Sequence, residues 1–484
     1  MSKPLPLPQA FDTIDDFSVM HQMRDGKVFT GTKPSLHKSL VVVGGGISGL
    51  TALSRLGDVD ALLLDKEPQL GGNSRRRQAH GIQYPLGALV SQGAEAPFTD
   101  FLNELAIPFQ RIAEPEQAYF AGNRLVRRPL DEGAAELPYS AKVRQQFAGL
   151  RAHFSEYLAP QTGIFFPIED NTPARKALDK QTLQHYFDKA GFYPEVQHFL
   201  NLVISSRLGT TANEVSAWMG LYILSRFVGP NFTLPGGHGA ISEALVKQIE
   251  QHSTNRLMPG MATVSVEHQA DGKTWVTCVN PKGEPVTISA DAVIMATPKL
   301  ISKHLVKGLP QAQVAAMAQY RYSAYLVAQV QLKHVVAPVF ETITENLFSR
   351  FMVRADWPEG NHNPEGRSHL TVYTPFPGPP GRVQLYSANA ADFAQRIVDD
   401  IERVYPGARH AIDKIELHRW GHPMVMPEPN ISARLAEATQ PFNNIFFAHS
   451  DNMGISGLYS AIWSGMDAYT SALLHLEEQS FAES

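Results

Sequence analysis

The chain has 484 residues and only one cysteine, Cys278. One thiol excludes an internal disulfide framework and a cysteine-based metal cluster, and it fits the reducing cytoplasm. Other metal ligands are not grouped either, because no pair of histidines or carboxylates shows ligand spacing on one predicted helix or strand. We therefore expect a cytoplasmic protein without a metal site.

Basic charge and long apolar runs are scarce as well. The 42 Lys and Arg residues stand against 47 Asp and Glu, a formal net charge of −5. A general nucleic-acid-binding protein would carry a clustered basic surface, so we expect no nucleic-acid partner. Residues 1–16 lack the apolar core of a signal peptide, and no segment reaches the roughly 20 apolar residues of a transmembrane helix. The sequence predicts no transmembrane segment and leaves the oligomeric state open.

A glycine-rich turn directly after an apolar run is the strongest feature that is present. Residues 40–43 are apolar, and Gly44, Gly46 and Gly49 follow with the spacing G-x-G-x-x-G. Such glycines allow a tight turn into a helix whose N-terminal N–H groups bind a diphosphate, and a side chain at the second glycine would collide with it. A second apolar run ends at Asp65, whose carboxylate can accept hydrogen bonds from ribose hydroxyls. The pattern predicts a dinucleotide site on a buried parallel sheet.

The segment after Asp65 predicts further contacts to phosphate. A Gly71-Gly72 turn is followed by three consecutive arginines, Arg75 to Arg77. Cations beside a diphosphate compensate its charge, so we expect this basic run to contribute to the same site.

The middle of the chain predicts a second domain in two pieces. Residues 97–227 have apolar residues three or four apart, which predicts helices, whereas residues 301–440 predict strands at 325–332, 369–374 and 415–420 with a proline-rich loop at 375–381. The helical piece is rich in aromatic residues, which is typical of a lid over an apolar or amphipathic substrate. These aromatic residues are Phe165, Phe166, Tyr186, Phe187, Phe192, Tyr193, Phe199, Trp218, Tyr222 and Phe227.

The chain returns to the nucleotide domain twice. Residues 232–249 predict a strand end, a glycine turn and a helix, and residues 262–298 predict three strands of which the last ends at Pro298. Residues 444–448 predict a final strand, and residues 457–473 a helix. The small residues of that helix, which would permit a close approach to a flat cofactor, are Ser460, Ala461, Ser464 and Gly465.

Together these segments resemble the flavin amine oxidase and phytoene desaturase superfamily. The resemblance covers nearly the whole nucleotide domain, and it is carried by the opening glycine motif, the Gly71-Gly72 turn, the strand that ends in 296–298 and the segment Phe447-Ala448 with Asp451. It implies FAD as the cofactor and an α/β fold, with a discontinuous Rossmann-type FAD-binding domain and an interleaved α+β substrate domain. The expected boundaries are 1–37 for an N-terminal extension, 38–96, 232–300 and 441–484 for the FAD-binding domain, and 97–231 and 301–440 for the substrate domain.

The same resemblance implies which residues bind FAD. The backbone of Val264 or Val266 would meet the adenine, and the last helix, from Ser460, would point its N-terminus at the isoalloxazine ring. The full set of expected FAD-binding residues is Gly44, Gly46, Ile47, Ser48, Gly49, Asp65, Lys66, Gly72, Asn73, Ser74, Val264, Ala296, Asp451, Ser460 and Ala461.

Among subgroups, the chain is most similar to bacterial flavoproteins related to spermidine dehydrogenase, through the segment ending at Leu40 and residues 419–423. It also departs from the amine oxidases. Their lysine that holds a water at flavin N5 has no counterpart in residues 320–325, Gly457 stands about where they place an aromatic residue, and His449 replaces a glycine.

Flavin oxidation requires little from side chains, so we expect no catalytic triad. Trp420 and Tyr459 are candidates for an aromatic cage, and His422 is the candidate base. Three functions stay open for a small-molecule substrate. They are hydride removal at a C–N bond, desaturation or isomerisation of an apolar unsaturated chain, and non-catalytic binding of the kind found in GDP-dissociation inhibitors.

Overall fold

A computed structural model describes residues 9–13, 17–31, 33–92, 98–112, 116–158, 172–252 and 256–483. The chain divides into two compact units. Unit 1 comprises Met1–Asp15, Arg76–Ala240 and Arg321–Ile431, and unit 2 comprises Asp16–Arg75, Ile241–Tyr320 and Ser432–Ser484.

The strands in chain order are β1 (Gln9–Thr13), β2 (Leu36–Val43), β3 (Ala61–Asp65), β4 (Arg76–Ala79), β5 (Ile82–Pro85), β6 (Val90–Gln92), β7 (Gln110–Ile112), β8 (Gln117–Ala121), β9 (Arg124–Arg127), β10 (Asn231–Thr233), β11 (Arg256–Pro259), β12 (Ala262–His268), β13 (Thr274–Val279), β14 (Pro285–Met295), β15 (Ala324–Leu332), β16 (Glu341–Thr344), β17 (Phe351–Arg354), β18 (Ser368–Phe376), β19 (Ile412–Trp420) and β20 (Ile445–Phe447). The α-helices are α1 (Ser18–Arg24), α2 (Ile47–Ser54), α3 (Phe98–Glu104), α4 (Ala141–Ser155), α5 (Pro173–Asp179), α6 (Leu183–Lys189), α7 (Pro194–Leu208), α8 (Ala217–Val228), α9 (Gly239–Glu250), α10 (Lys299–Leu305), α11 (Gln311–Ala318), α12 (Gly378–Ser387), α13 (Ala390–Val404), α14 (Ile431–Ala438) and α15 (Leu458–Glu483).

Unit 2 is built on a mixed sheet with the strand order β11-β3-β2-β14-β13-β12, and β20 pairs with β14. The strands β11, β3, β2, β14 and β20 pair in parallel, whereas β12, β13 and the first half of β14 are antiparallel. Residues 40–43 and 61–64 are buried, as parallel strands covered on both faces require. The predicted nucleotide sheet is therefore confirmed.

Unit 1 contains a sheet with the order β1-β19-β15-β18-β17-β16-β8-β9. One face of β15, including Leu326 and Val330, packs with Ile397 and Ile401 of the amphipathic helix α13. The other face carries Tyr325 and Val327, and it packs in a second apolar cluster with Tyr84, Phe340 and Trp420. This sheet has a buried layer on each side, and all nine residues of β15 are buried.

The aromatic residues of the helical piece form a core. Phe147 and Phe199 are completely buried, and their ring centroids are 5.3 Å apart. Tyr119 lies 4.9 Å from Phe199, and Phe227 lies 6.2 Å from it. Phe199 and Phe227, two of the residues expected in the lid, therefore pack in the interior of unit 1, and a lid formed by the more exposed aromatic residues stays a prediction. Phe165 and Phe166 lie outside the described residues.

Two predictions for unit 1 are wrong. Residues 110–127 were expected to be helical but contain β7, β8 and β9. All five residues of β8 are buried, and so short an apolar run has no period that separates a strand from a helix. The proline-rich segment 375–381 ends β18 and then starts α12, because prolines are tolerated in the first turn of a helix.

The expected boundaries also differ from the compact units, because residues 76–96 and 232–240 belong to unit 1. The assignment of FAD binding and substrate binding to separate domains stays a prediction. Within the part of the chain that is described, no helix combines the length and the apolar character that crossing a membrane requires.

The aromatic core yields a stability prediction. We expect Phe147→Ala to lower the free energy of unfolding by about 3–5 kcal/mol, because the truncation leaves a cavity among packed rings. Urea unfolding followed by fluorescence and circular dichroism measures the change. Tyr193→Ala is the control, since Tyr193 is 37% exposed. A loss for Phe147→Ala no larger than that of the control would contradict a core role.

Candidate cofactor site

The glycine motif forms a tight turn whose packing excludes side chains at two positions. Gly44 has φ +114°, and a Cβ there would lie 2.4 Å from the carbonyl oxygen of Ala296. A Cβ at Gly49 would lie only 1.9 Å from the carbonyl oxygen of Gly44. Both glycines are therefore required by the fold itself, since β2, α2 and the end of β14 meet at backbone contact.

Gly46 is different, because the protein does not fill the space beside it. It is the N-cap of α2, and a Cβ at this position would meet no atom within 4 Å. The N–H groups of Ile47, Ser48 and Gly49 belong to the first turn of α2, where a helix leaves its donors without internal partners. An open cradle beside such donors fits a diphosphate.

The Gly71-Gly72 turn packs directly on this cradle. Gly71 N donates to Gly45 O at 2.7 Å, and a Cβ at Gly72 would lie 3.1 Å from the Cα of Gly46. Arg75 Nε donates to Gly72 O at 2.8 Å, and the side chain is buried. The turn therefore brings one guanidinium group of unit 2 to the glycine loops.

The rest of the basic run lies elsewhere. Arg76 donates to Pro235 O at 2.9 Å, and Arg77 lies 3.4 Å from the carboxylate of Glu416, all within unit 1. Arg76 and Arg77 thus have partners in unit 1, and a joint action of the three arginines on phosphate stays a prediction. The sequence alone does not show where these arginine side chains point, because successive side chains of a strand alternate in direction and the start of β4 at Arg76 is not evident from the sequence.

Asp65 ends β3 beside the glycine turn. Its Oδ2 accepts from Gly45 N at 2.5 Å, and its Oδ1 accepts from Glu67 N at 2.7 Å. Burial raises the pKa of this carboxyl, and the two N–H donors oppose that shift. Each oxygen keeps a second lone pair, so the carboxylate can still accept from hydroxyl groups.

Three further residues expected to bind FAD, Lys66, Asn73 and Ser74, make contacts that do not indicate a cofactor position. Lys66 pairs with Glu67 and lies 5.0 Å from the ring centroid of Phe17. The side chain of Asn73 is exposed, whereas Ser74 is buried and its carbonyl accepts from Ser242 Oγ at 2.5 Å.

Val264 lies at an irregularity in β12. Thr263 pairs with Cys278, and Ser265 pairs with the next residue, Thr277, so no residue of β13 stands opposite Val264. Val266, in contrast, pairs with Val276. A bulge leaves backbone groups outside the ladder, which supports Val264 over Val266 as the backbone contact.

The C-terminal segment brings a buried ion pair to the site. Asp451 and Lys299 have no exposed side-chain surface, and Lys299 Nζ lies 3.0 Å from Asp451 Oδ1. The backbone N of Lys299 donates to Asp451 Oδ2 at 2.8 Å. Asp451 was expected at this site, whereas Lys299 was not.

The last helix, α15, packs against α2. A Cβ at Gly465 would lie 2.4 Å from the carbonyl oxygen of Ser48, and Ser464 Oγ accepts from His449 N at 2.9 Å. These two small residues therefore support packing within unit 2. Ser460 and Ala461 lie in the first turn of α15. Ala461 N already donates to Gly457 O at 3.0 Å, so only the N–H groups that precede it in this turn, such as that of Ser460, come before the first bond within the helix.

Comparisons with known proteins identify this arrangement. The model of the flavin containing amine oxidoreductase family matches residues 46–468. The chain belongs to this family. As a family member it is an FAD-dependent oxidoreductase, so the non-catalytic alternative is set aside.

Individual relatives agree with this assignment. The chain is 24% identical to the oxidoreductase PigB of Serratia sp. (strain ATCC 39006), over 89% of this chain and 74% of that protein. Cyclohexylamine oxidase from Brevibacterium oxydans IH-35A has a similar structure, with 15% identity, a TM-score of 0.72 and coverage of 92% of this chain and 99% of that one. A putative protoporphyrinogen oxidase from Exiguobacterium sp. 255-15 is 16% identical, with a TM-score of 0.68 and coverage of 92% and 100%. The two structural likenesses show the FAD-binding amine oxidase fold.

Lys299 is a residue of unit 2 that sequence reasoning did not connect with Asp451. It directly follows the Ala-Thr-Pro segment after β14, and this segment predicts the end of a buried strand without indicating a partner for the lysine. The sequence signal that could have predicted this ion pair was Lys299 at the start of a helix together with Asp451, a carboxylate expected at the cofactor site.

The candidate catalytic residues lie in different surroundings. Trp420 of unit 1 is buried, and its Nε1 donates to Leu86 O at 2.9 Å. The ring of His422, also in unit 1, lies 6.5 Å from that of Tyr322. Tyr459 of unit 2 is half-buried in the first turn of α15. Their roles stay predictions.

His238, a further histidine in a glycine turn, is buried in unit 1. Burial lowers its pKa to about 4, so this side chain is neutral at physiological pH.

The glycine motif yields a matched pair of variants. We expect Gly46→Val to leave the fold intact but to abolish FAD binding, because its Cβ meets no protein atom within 4 Å and its side chain occupies the space expected for the diphosphate. Gly49→Ala should instead lower the free energy of unfolding by about 1–3 kcal/mol or more, because its methyl group would overlap with the carbonyl oxygen of Gly44. Flavin absorbance after purification and thermal unfolding of the FAD-free proteins measure the two effects. Normal flavin content in Gly46→Val, or an unchanged melting temperature in Gly49→Ala, would contradict the geometry.

Proposed function

We propose that this flavoenzyme removes a hydride from a carbon atom bonded to nitrogen. The family is named for amine oxidation, and one structural neighbour is a cyclohexylamine oxidase. In the reaction, the C–H bond next to nitrogen breaks and its electron pair leaves with the hydrogen, while the nitrogen lone pair forms a C=N bond. FAD supplies the hydride acceptor when it is bound.

The closed aromatic core of unit 1 favours this reaction over desaturation of an apolar chain. Desaturation was suggested by a lid of aromatic side chains, which would cover a long apolar substrate. Phe199 is instead buried against Phe147 and Phe227, and Phe187 is buried against Phe192. These rings are not available to a long apolar substrate, so the argument for desaturation now rests on the missing lysine and the more exposed aromatic residues, whereas the family argument supports a C–N bond.

The residues of unit 2 support a specific arrangement for FAD. We assign the diphosphate to the α2 N-terminus, where the open cradle at Gly46 and the buried guanidinium of Arg75 are available. Asp65 accepts from the ribose, and the bulge at Val264 offers backbone groups to the adenine. The N-terminus of α15 carries partial positive charge, which stabilises negative charge on a reduced ring system.

For the substrate, we keep Trp420, Tyr459 and His422 as candidates. Trp420 has its N–H committed to Leu86 O, so it would act through the face or edge of its ring. Lys299 does not replace the family lysine, because its ammonium group is held in the ion pair with Asp451. A substrate amine must be neutral before hydride leaves, and His422 is the group that we propose to take up its proton.

Anaerobic reduction of the bound flavin tests the proposed reaction. The substrates are cyclic and linear amines, each paired with an alkene or isoprenoid of similar carbon skeleton, and loss of the flavin absorbance is followed by stopped flow. We expect reduction by at least one amine and by none of its paired hydrocarbons, with faster rates above the pKa of the amine. Bleaching by the isoprenoid or fatty-acyl members alone would overturn the C–N assignment.

A further inference from the structure

The ion pair between Lys299 and Asp451 is unusual for a structural contact, because both charged groups are completely buried. Removing two charges from water costs several kcal/mol per ion, and their attraction often repays no more than that cost. Both side chains nevertheless have zero exposure. A fully buried pair is therefore weak evidence for a stabilising role, and a reason to look for a requirement at this position.

The surroundings of the pair fix both groups. Lys299 Nζ also bonds to the side-chain oxygen of Asn452 and lies 5.6 Å from the ring centroid of Phe447. His449 Nδ1 lies 3.1 Å from Asp451 Oδ1. These contacts come from the end of β20 and the short segment that follows it, so one lysine on α10 contacts Phe447, Asp451 and Asn452.

A buried hydroxyl group beside the pair indicates a polar neighbour outside the protein. Tyr320 is buried, and its hydroxyl has no hydrogen-bond partner among the described residues. Burial and then the negative charge of Asp451 raise its pKa, so the hydroxyl is neutral and able to donate. An orphaned buried donor is costly, which favours a bound ligand atom near it.

We propose that Lys299 is a positioning residue that keeps Asp451 ionised and oriented, so that the segment 449–453 can receive FAD. The lysine does not itself react with substrate. It cancels the charge of the one carboxylate that this segment brings into a buried site, next to a cofactor that carries two phosphate charges. This inference rests on the proposed position of FAD in unit 2 and not on the proposed substrate.

The charged and titratable groups around Asp451 define what removal of the lysine does. They are Lys299 on α10, His449 before the 3₁₀ turn, Tyr320 after α11, and Arg434 of α14, whose charge acts on the Tyr320 hydroxyl. Without Lys299, a buried carboxylate lacks its principal cation, and it is tolerated only when it takes up a proton. FAD affinity should then fall as the pH rises.

The test compares FAD binding to the FAD-free forms of wild type, Lys299→Met, Lys299→Met/Asp451→Asn and Lys303→Met. Lys303→Met is the control, because it removes the same charge one turn later on α10. Dissociation constants from FAD fluorescence between pH 6 and 9 are divided by the wild-type values, which removes any pH dependence that the variants share with wild type.

For Lys299→Met we expect a loss of affinity of roughly tenfold or more at pH 9 that shrinks towards pH 6. The double variant should show a pH-independent ratio, and Lys303→Met a ratio near one. A ratio near one for Lys299→Met at every pH, or a constant loss shared with the double variant, would overturn the proposal.

If Lys299→Met does not fold, the double variant decides. Folding and pH-independent FAD binding in the double variant support a charge-compensating role. Failure of the double variant to fold overturns it, since the lysine would then be required for packing irrespective of Asp451. Neither result bears on the amine panel, so the proposed reaction and this inference can fail separately.

Discussion

Close backbone contact among three segments is the constraint on which unit 2 depends. The turn at Gly44 lies against Ala296, the first turn of α2 lies against Gly44 at Gly49, and neither contact has room for a methyl group. Backbone hydrogen bonds fix the same point, from Gly44 N to Leu64 O and from Ala296 N to Val43 O, both at 2.8 Å. Because three strands and a helix are locked here, the donors of α2 have a fixed direction, and the open space at Gly46 is a result of that packing.

Charge is distributed around this point in an ordered way. The N-terminus of α2 and the guanidinium of Arg75 provide positive potential. Asp65 and Asp451 provide hydrogen-bond acceptors, and their negative charges are compensated in different ways. Asp65 is compensated by two backbone N–H donors, and Asp451 by a buried ammonium group. Neutral donors suit a carboxylate that must accept from hydroxyls, while a full opposite charge suits one that is completely enclosed.

The sequence predicted the parts of this site that have local signatures. The glycine spacing, the apolar run before it and the acid after the second strand each follow from the conformation of a few adjacent residues, so β2, α2 and β3 were found. Lys299 was missed because its ion pair depends on a partner 152 residues away, so this lysine could be recognised only together with Asp451. The directions of the three arginine side chains could not be predicted for a similar reason, since they depend on where β4 begins. In unit 1, β8 was missed because a fully buried strand of five residues lacks a period.

The long span of sequence between paired elements has a consequence for how this protein is made. Ser48 of α2 is covered by Gly465 of α15, and β14 pairs with β20 near the end of the chain. Contacts of such high sequence separation form late, because a large loop must close before they form. While the ribosome is still working, the glycine turn therefore emerges early but lacks its covering helix. The first turn of α2 is therefore covered only after Gly465 has been made and α15 has packed, and the parallel strand β20 joins the sheet at the same late stage.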